Sequence, residues 1–149
     1  MSSEKWYEKY SWLVFILVAL TGLIPAIQLL ISPMSGQTFF AGFGHPIPES
    51  ILSDANESAF VAFVMRWIGT VLLGGNALTI FIAAAAWQKG EKWAWFAMWY
   101  WPLMFATHYL MYGDGFLKNL QIFWVALTLG VLVANFSRFF SAENRIGVE

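Results

Sequence analysis

The sequence predicts an all-α integral membrane protein, a bundle of four transmembrane helices. Hydrophobic residues make up 59% of its 149 residues and charged residues only 11%, against roughly 45–50% and 25% in soluble domains. A soluble chain of this length could not bury so much apolar surface, whereas a lipid solvent removes the need. The apolar residues also fall into four runs, each long enough for a helix to cross hydrocarbon. The length allows one domain, residues 1–149.

Polar and turn residues mark the ends of the four runs. The predicted spans are residues 12–31, 60–87, 93–112 and 117–139. Pro25 should kink the first span. Asp54, with Glu57 three residues later, has the pattern of a helix N-cap with a capping box before the second span. The connection 32–56 is the one long loop, and connections of this length usually fold over something or act as a lid.

The distribution of basic residues predicts the orientation. Four spans place both termini on one side, with Lys5, Lys9, Lys89, Lys92, Arg138 and Arg145. The other side would hold Lys118 and the borderline Arg66, with the acidic residues Glu49, Asp54, Glu57 and Asp114. Because Lys and Arg are enriched in cytoplasmic loops, we expect both termini in the cytoplasm and the long first loop outside, in a multi-pass protein of the cell membrane.

The second and third runs form a predicted hairpin, residues 64–112, whose closure should bring Arg66 towards His108. Ionisable and amide side chains are costly in hydrocarbon, so each is a candidate functional residue. Most of them fall in the outer half of the membrane, which predicts a polar pocket that opens outward. The candidate ligand-binding residues are Gln28, Arg66, Asn76, His108, Tyr109 and Tyr112.

Each of these residues also has a structural interpretation. Arg66, followed by Trp67, has the pattern of an interfacial anchor whose guanidinium reaches the headgroups. A neutral His108 can be satisfied by a neighbouring hydroxyl or carbonyl, and Asn76 can hydrogen-bond between helices. The sequence leaves both interpretations open.

Several kinds of chemistry have no support in the sequence. There is no cysteine and the net charge is −1, which excludes thiolate chemistry and gives no basic field for nucleic acid. His45 and His108 lack the spacing that preorganises a zinc site, and no phosphate loop or nucleophile elbow is present. We therefore predict no metal and no bound cofactor, with a quinone as the one cofactor that an outward pocket could suit.

Small residues predict helix association. Ala126, Gly130 and Ala134 recur at four-residue spacing on the last span, and Gly22 with Ala26 forms a small patch on the first. Such residues let helix backbones approach closely in lipid. We expect a homo-oligomer or other membrane subunits to pack against the last span.

A loose motif resembles a known group. Arg66-Trp67-Ile68-Gly69 is followed by an apolar run and then by Lys89-Gly90-Glu91-Lys92-Trp93-Ala94-Trp95. This is similar to the DoxX-like set of small four-helix prokaryotic membrane proteins, most of them uncharacterised. The resemblance implies a four-helix membrane fold, and DoxX proper is associated with quinone-linked sulfur oxidation. Only Arg66 and Gly69 match as positions, and the long first loop departs from the group.

Three functions are compatible with these features. The sequence favours a non-enzymatic subunit or accessory protein of a membrane complex, because no nucleophile, base and orienting group occur together. The second is a protein that binds, or acts on, a lipophilic ligand of quinone or isoprenoid type around Arg66 and His108. The third is a small transporter, which the absence of an acidic residue within the spans disfavours.

Overall fold

The computed structural model describes residues 5–42 and 44–140, and within them the chain forms helices and turns without a strand. The helices are α1 (Trp6–Tyr10), α2 (Trp12–Ile31), α3 (Gly36–Gly42), α4 (Glu49–Ser53), α5 (Ala55–Ile82), α6 (Lys92–Ala97), α7 (Tyr100–Met111), α8 (Phe116–Ala134) and α9 (Phe136–Phe140). A 3₁₀ turn at Pro33–Ser35 follows α2, and a π-helical turn at Ala83–Trp87 extends α5. The predicted all-α class is confirmed. Arg145 lies outside the described residues.

Three helical segments are long and apolar enough to cross a membrane, namely Trp6–Ile31, Ala55–Trp87 and Phe116–Ala134. They contain most of the first, second and fourth predicted spans. This confirms the prediction of a membrane protein with transmembrane helices.

The third predicted span is divided between α6 and α7, because the chain turns at Met98 and Trp99. Pro102 provides the physical reason. It has no backbone N–H, and its ring clashes with the carbonyl four residues earlier, which belongs to Met98. That carbonyl instead accepts a hydrogen bond from the backbone N–H of Trp101 at 3.2 Å. The count of four spans stays a prediction.

Local signals set the ends of the two long N-terminal helices. The helix α2 covers the predicted run, with Pro25 inside it. At the start of α5, the Asp54 carboxylate accepts hydrogen bonds from the backbone N–H groups of Asn56 and Glu57, each at 2.9 Å. The predicted N-cap is confirmed. It satisfies two of the donors that a helix N-terminus leaves without partners.

The bundle consists of two closely packed helix pairs. The first pair is α2 with α5, and the second pair is α7 with α8. Glycines permit the close approach in the first pair: a Cβ added to Gly69 would lie 2.9 Å from the backbone oxygen of Ala26. A Cβ on Gly22 would lie 2.6 Å from the side-chain oxygen of Asn76. The predicted small patch on α2 is therefore where α5 packs.

An aromatic core fills the end of the bundle at which α2 begins and α5 and α8 end, called here the closed end. Trp87, wholly buried, packs against Phe15 and Phe139 with ring centroids 4.8 and 4.7 Å apart. Trp95 adds edge contacts to Phe140 at 5.2 Å and donates its indole N–H to the carbonyl of Leu132 at 2.9 Å. The tryptophans of the third run are thus mainly packing residues.

A buried polar cluster ties the same end together. The Ser11 hydroxyl accepts the indole N–H of Trp87 at 2.9 Å and lies 3.0 Å from the Asn135 side-chain oxygen, to which it can donate. The Arg138 guanidinium donates to the backbone carbonyls of Glu8 and Gln88. The chain start, the turn after α5 and the end of α8 are therefore held by hydrogen bonds as well as by apolar contact.

Two glycine-to-alanine variants on α5 should change stability in opposite directions. Gly69→Ala pushes a methyl group into the Ala26 backbone, so we expect a loss of about 1–3 kcal/mol in the free energy of unfolding. Gly74→Ala meets no atom within 4 Å and should gain about 0.5–1 kcal/mol from helix propensity. Unfolding curves in mild detergent measure both. Equal shifts in the two variants would show that α2 and α5 do not pack at Gly69.

Candidate functional site

A cavity of about 520 Å³ lies between the two helix pairs. Residues of α2, α5, α7 and α8 line it, together with Phe40 of α3. The lining residues are Val18, Thr21, Gly22 and Pro25 from α2; Ile68, Leu72, Gly75 and Asn76 from α5; Tyr100, Trp101, Met104, Phe105, His108, Met111 and Tyr112 from α7 and its C-terminal flank; and Leu117, Leu120, Gln121 and Trp124 from α8. The aromatic core closes its floor, because Val18, Trp101 and Phe105 belong to both. The volume is within the range of roughly 300–1,000 Å³ that is typical of small-molecule sites.

Two buried amides on opposite helix pairs define the polar part of the cavity. Asn76 is 2% exposed and Gln121 is 7% exposed. Each donates its NH₂ group to its own helix, Asn76 to the Leu72 carbonyl at 2.6 Å and Gln121 to the Leu117 carbonyl at 3.1 Å. Both side-chain oxygens are buried without a hydrogen-bond partner among the described residues. A buried acceptor left unpaired costs about 1–3 kcal/mol, so each of these two amides lowers the stability of the bundle locally.

Asn135 provides a comparison, because it is a buried amide with hydrogen-bond partners for both its NH₂ group and its oxygen. Its NH₂ group also donates four residues back, to the Val131 carbonyl at 2.8 Å. Its oxygen, unlike those of Asn76 and Gln121, has the Ser11 hydroxyl within hydrogen-bond distance. The unpaired oxygens therefore distinguish Asn76 and Gln121 from Asn135.

Pro25 lies in the α2 wall of the cavity. Because proline has no N–H, the carbonyl of Thr21 loses its α-helical hydrogen bond. Thr21 and Pro25 both line the cavity. Pro25 therefore removes one backbone hydrogen bond from α2 at the level of the cavity.

The remaining walls are aromatic and flexible apolar side chains. Phe105 lies between Trp101 and Trp124, with ring centroids 5.6 and 5.9 Å away, and is nearly parallel to Trp124. His108 stacks on Tyr112 at 5.2 Å, and among the described residues no hydrogen bond reaches its imidazole. Flat rings with polar tips suit a planar or isoprenoid ligand.

The long first loop reaches the mouth of the cavity. The Nε2 atom of His45 donates to the carbonyl of Met111 at 3.2 Å. Gly44 lies beside Gly113 with a backbone φ of +83°, a conformation that a residue with a side chain would adopt only with strain. Met111 lines the cavity, as does Phe40 from the loop's own helix α3. The loop thus contacts the end of α7 beside the cavity; whether it covers a ligand stays a prediction.

The structure brings together three of the six candidate residues. Asn76, His108 and Tyr112 line the cavity, as do Trp101 and Phe105, which precede His108 on the same face of α7. Gln28, Arg66 and Tyr109 are not among the lining residues. Gln28 and Arg66 are exposed, and Tyr109 lies beneath the ammonium group of Lys118 at 5.2 Å.

Arg66 and His108 therefore do not share this pocket. Arg66 precedes the lining residue Ile68 by two positions, which places it on the other side of the α5 helix. Its exposed position beside Trp67, 63% exposed, is the arrangement expected of an interfacial anchor.

Sequence reasoning missed Gln121 and Tyr100. Both line the cavity, and Tyr100 places its hydroxyl 3.9 Å from where a Cβ on Gly75 would lie. The signal for Gln121 was the same one that singled out Asn76, an amide within an apolar run.

A second concave surface lies at the closed end. Ala126, Gly130 and Ala134 are exposed on α8 and line a groove of about 430 Å³ together with residues of α1 and α2. A Cβ on Gly130 would meet no atom within 4 Å. The predicted association through this stripe stays a prediction.

Comparison of the chain with family models, curated proteins and solved structures finds no match. The resemblance to the DoxX-like group stays a prediction. Among the described residues no three His, Asp or Glu side chains lie close enough to hold a metal ion. The cavity between the helix pairs is therefore the candidate functional site.

Truncation of the two asparagines should separate an orphan amide from a satisfied one. Asn135→Ala removes the acceptor facing Ser11 and leaves a void in packed core, so we expect a loss of about 1–3 kcal/mol in unfolding free energy. Asn76→Ala removes an acceptor that had no partner and widens an existing cavity, so the loss should stay below about 1 kcal/mol. Unfolding of delipidated protein in detergent gives both values. An Asn76→Ala loss as large as that of Asn135→Ala would contradict the assignment.

Proposed function

We propose that the protein binds a lipophilic small molecule, of quinone or isoprenoid type, in the cavity between the two helix pairs. The observation that carries the proposal is a space of about 520 Å³ between the helix pairs, lined mainly by apolar side chains together with a few polar residues such as His108 and Tyr112. Aromatic walls and a loop over its mouth suit an apolar occupant.

This function is favoured over that of a passive accessory subunit. A subunit that only packs against its neighbours has no need of a concave space of this size between its helices, lined by aromatic side chains. Catalysis has weaker support than binding, because the cavity brings His108 and Tyr112 together without a nucleophile oriented by a base. We therefore assign binding and leave His108 as a hydrogen-bonding residue of the pocket.

We also propose that α6 and α7 together make the fourth span, with both termini in the cytoplasm of a cell-membrane protein. From Lys92 to Met111 they cover a length close to the hydrocarbon thickness. Their break at Met98, 1% exposed, is tolerable in lipid because protein covers it. Lys5, Lys9, Lys89, Lys92 and Arg138 all lie at the closed end, as the positive-inside tendency requires.

Single cysteines should report this orientation, because the chain has none of its own. In intact cells, Ser50→Cys in the loop over the cavity should react with a membrane-impermeant maleimide. Lys89→Cys in the turn after α5 should react only after the membrane is permeabilised. Reversed labelling would place the termini outside. Labelling of both positions in intact cells would contradict the proposed span count.

Filling the cavity should abolish ligand binding. Gly75 lines the cavity and neighbouring Gly74 is exposed, with no atom near either added Cβ closer than 3.9 Å. Gly75→Leu should therefore occupy the ligand space, whereas Gly74→Leu adds the same side chain to the outer surface. Native mass spectrometry of protein purified in mild detergent measures the co-purifying lipophile. We expect it in the wild type and Gly74→Leu and at least tenfold less in Gly75→Leu.

The two variants are matched for helix propensity, so their stabilities serve as the control. An equal amount of lipophile in Gly75→Leu, or none in the wild type after supplementation with isoprenoid lipids, would overturn the proposed function.

A further inference from the structure

We propose that the groove at the closed end binds an anionic phospholipid, with its phosphate beside Lys5 and Lys9 and an acyl chain along α8. The groove and the cavity between the helix pairs have no lining residue in common. The inference therefore goes beyond the proposed function and does not depend on it.

The groove is an apolar space between α1 and α8. Its wall on the α1 side consists of the aromatic side chains of Trp6, Tyr7 and Tyr10. The wall on the α8 side consists of Ala126, Leu127, Gly130, Val131 and Ala134. From Ala126 to Ala134 this wall extends about 12 Å along the helix axis. Because a Cβ on Gly130 would meet no atom within 4 Å, the groove has room for part of an acyl chain.

Positive charge borders the groove at the end where α1 lies. The ammonium group of Lys5 is 5.7 Å from the ring centroid of Tyr7, and that of Lys9 is 5.4 Å from the ring centroid of Tyr10. Both tyrosines line the groove, and tyrosine and tryptophan are typical of headgroup depth. The groove thus has cations at headgroup depth and small apolar residues further along α8. An anionic phospholipid has the complementary order of charge and apolar chain.

Acidic side chains do not cancel this charge. Among the described residues of the closed end, the carboxylates are those of Glu8 and Glu91. Glu8 precedes Tyr10 by two positions, which places it on the opposite side of α1. Glu91 lies in the turn after α5 and accepts an indole N–H there. Arg138 adds positive charge, since its guanidinium donates to the backbone carbonyl of Glu8. The end of the groove at α1 is therefore suited to an anion.

A second copy of the chain would meet this charge unfavourably. In a two-fold symmetric dimer the same surface of each protomer contacts the other. Lys5 and Lys9 of both protomers would then converge at one end of the interface and repel each other. A lipid phosphate instead brings the opposite charge to the same place. Charge complementarity therefore favours the lipid over a second protomer.

Matched lipids test the head group. Protein in mild detergent is exchanged into an equimolar mixture of phosphatidylglycerol and phosphatidylcholine with identical acyl chains, and native mass spectrometry counts the lipid retained. Two lysines beside the phosphate predict that phosphatidylglycerol is retained at least tenfold over phosphatidylcholine. The preference should fall as ammonium acetate is raised from about 0.1 to 1 M, because salt screens exposed charges.

Paired charge variants assign the preference to the lysines of α1. Lys5→Gln combined with Lys9→Gln should reduce the preference for phosphatidylglycerol at least fivefold. Lys89→Gln combined with Lys92→Gln removes the same charge from the same end of the bundle, away from the groove. We expect this control to retain the wild-type preference.

A second pair of variants tests the acyl-chain site. Gly130→Leu places a side chain in the groove, so it should reduce retention of both lipids at least fivefold. Gly74→Leu makes the same change at an exposed position of α5 that also has no atom within 4 Å of an added Cβ. It should retain lipid as the wild type does.

Three results would overturn the proposal. The first is equal retention of the two lipids by the wild type. The second is a preference that survives in the Lys5 and Lys9 variant or is lost equally in the Lys89 and Lys92 control. The third is a dimeric wild type without bound lipid that Gly130→Leu converts to a monomer, which would identify the groove as an interface between copies of the chain.

Discussion

The relative positions of α2, α5 and α8 depend on the hydroxyl group of Ser11. Ser11 lies where α2 begins, accepts the indole N–H of Trp87 and faces the oxygen of Asn135. Polar groups in hydrocarbon cannot hydrogen-bond to water. A hydrogen-bond partner inside the protein is therefore the main way to offset the cost of burying them. By serving both Trp87 and Asn135, Ser11 fixes the relative positions of α2, α5 and α8. The aromatic core can then pack at the closed end.

That fixed end explains how a cavity persists at the other end. Large rings fill the space between the helix pairs at the closed end. Further along the helices, the smaller residues Gly22, Gly75 and Asn76 line the same space. Close packing within each pair, as at Gly69 against Ala26, keeps α2 and α5 from moving apart to fill the gap. The two ends therefore differ: aromatic side chains fill the closed end, and the other end holds the cavity.

Single helices were predictable from the sequence, and their pairing was not. The run from Trp12 to Ile31, the Asp54 cap and the face that carries His108 follow from hydropathy, capping chemistry and the 3.6-residue period. The sequence placed Arg66 opposite His108 by assuming that neighbouring runs pack together. In the structure α2 packs on α5 and α7 on α8, so His108 faces a space shared by all four helices. Pairing depends on where glycines allow close approach, which periodicity alone does not reveal.

The π-helical turn at Ala83–Trp87 also could not be predicted from the sequence. Four alanines and a tryptophan have no signature for an i to i+5 hydrogen bond, since tertiary contacts select it. The turn shifts the register of the residues that follow, and Trp87 ends the segment fully buried beside Ser11.

Gln121 was missed for a different reason. A lone amide in the last run is visible in the sequence, but its orphan oxygen becomes evident only when the opposite wall is known.

The hydrogen bond between Ser11 and Asn135 also constrains the order of biosynthesis. Its partners are separated by 124 positions in the chain, and Arg138 reaches Glu8 across 130. When the first helix leaves the ribosome and enters the bilayer, the residues that satisfy it have yet to be translated. The closed end can form only after the last helix has been inserted. A nascent chain cut short before α8 would expose Ser11 and Trp87 without the Asn135 partner, so membrane quality control could distinguish a truncated copy from a finished one.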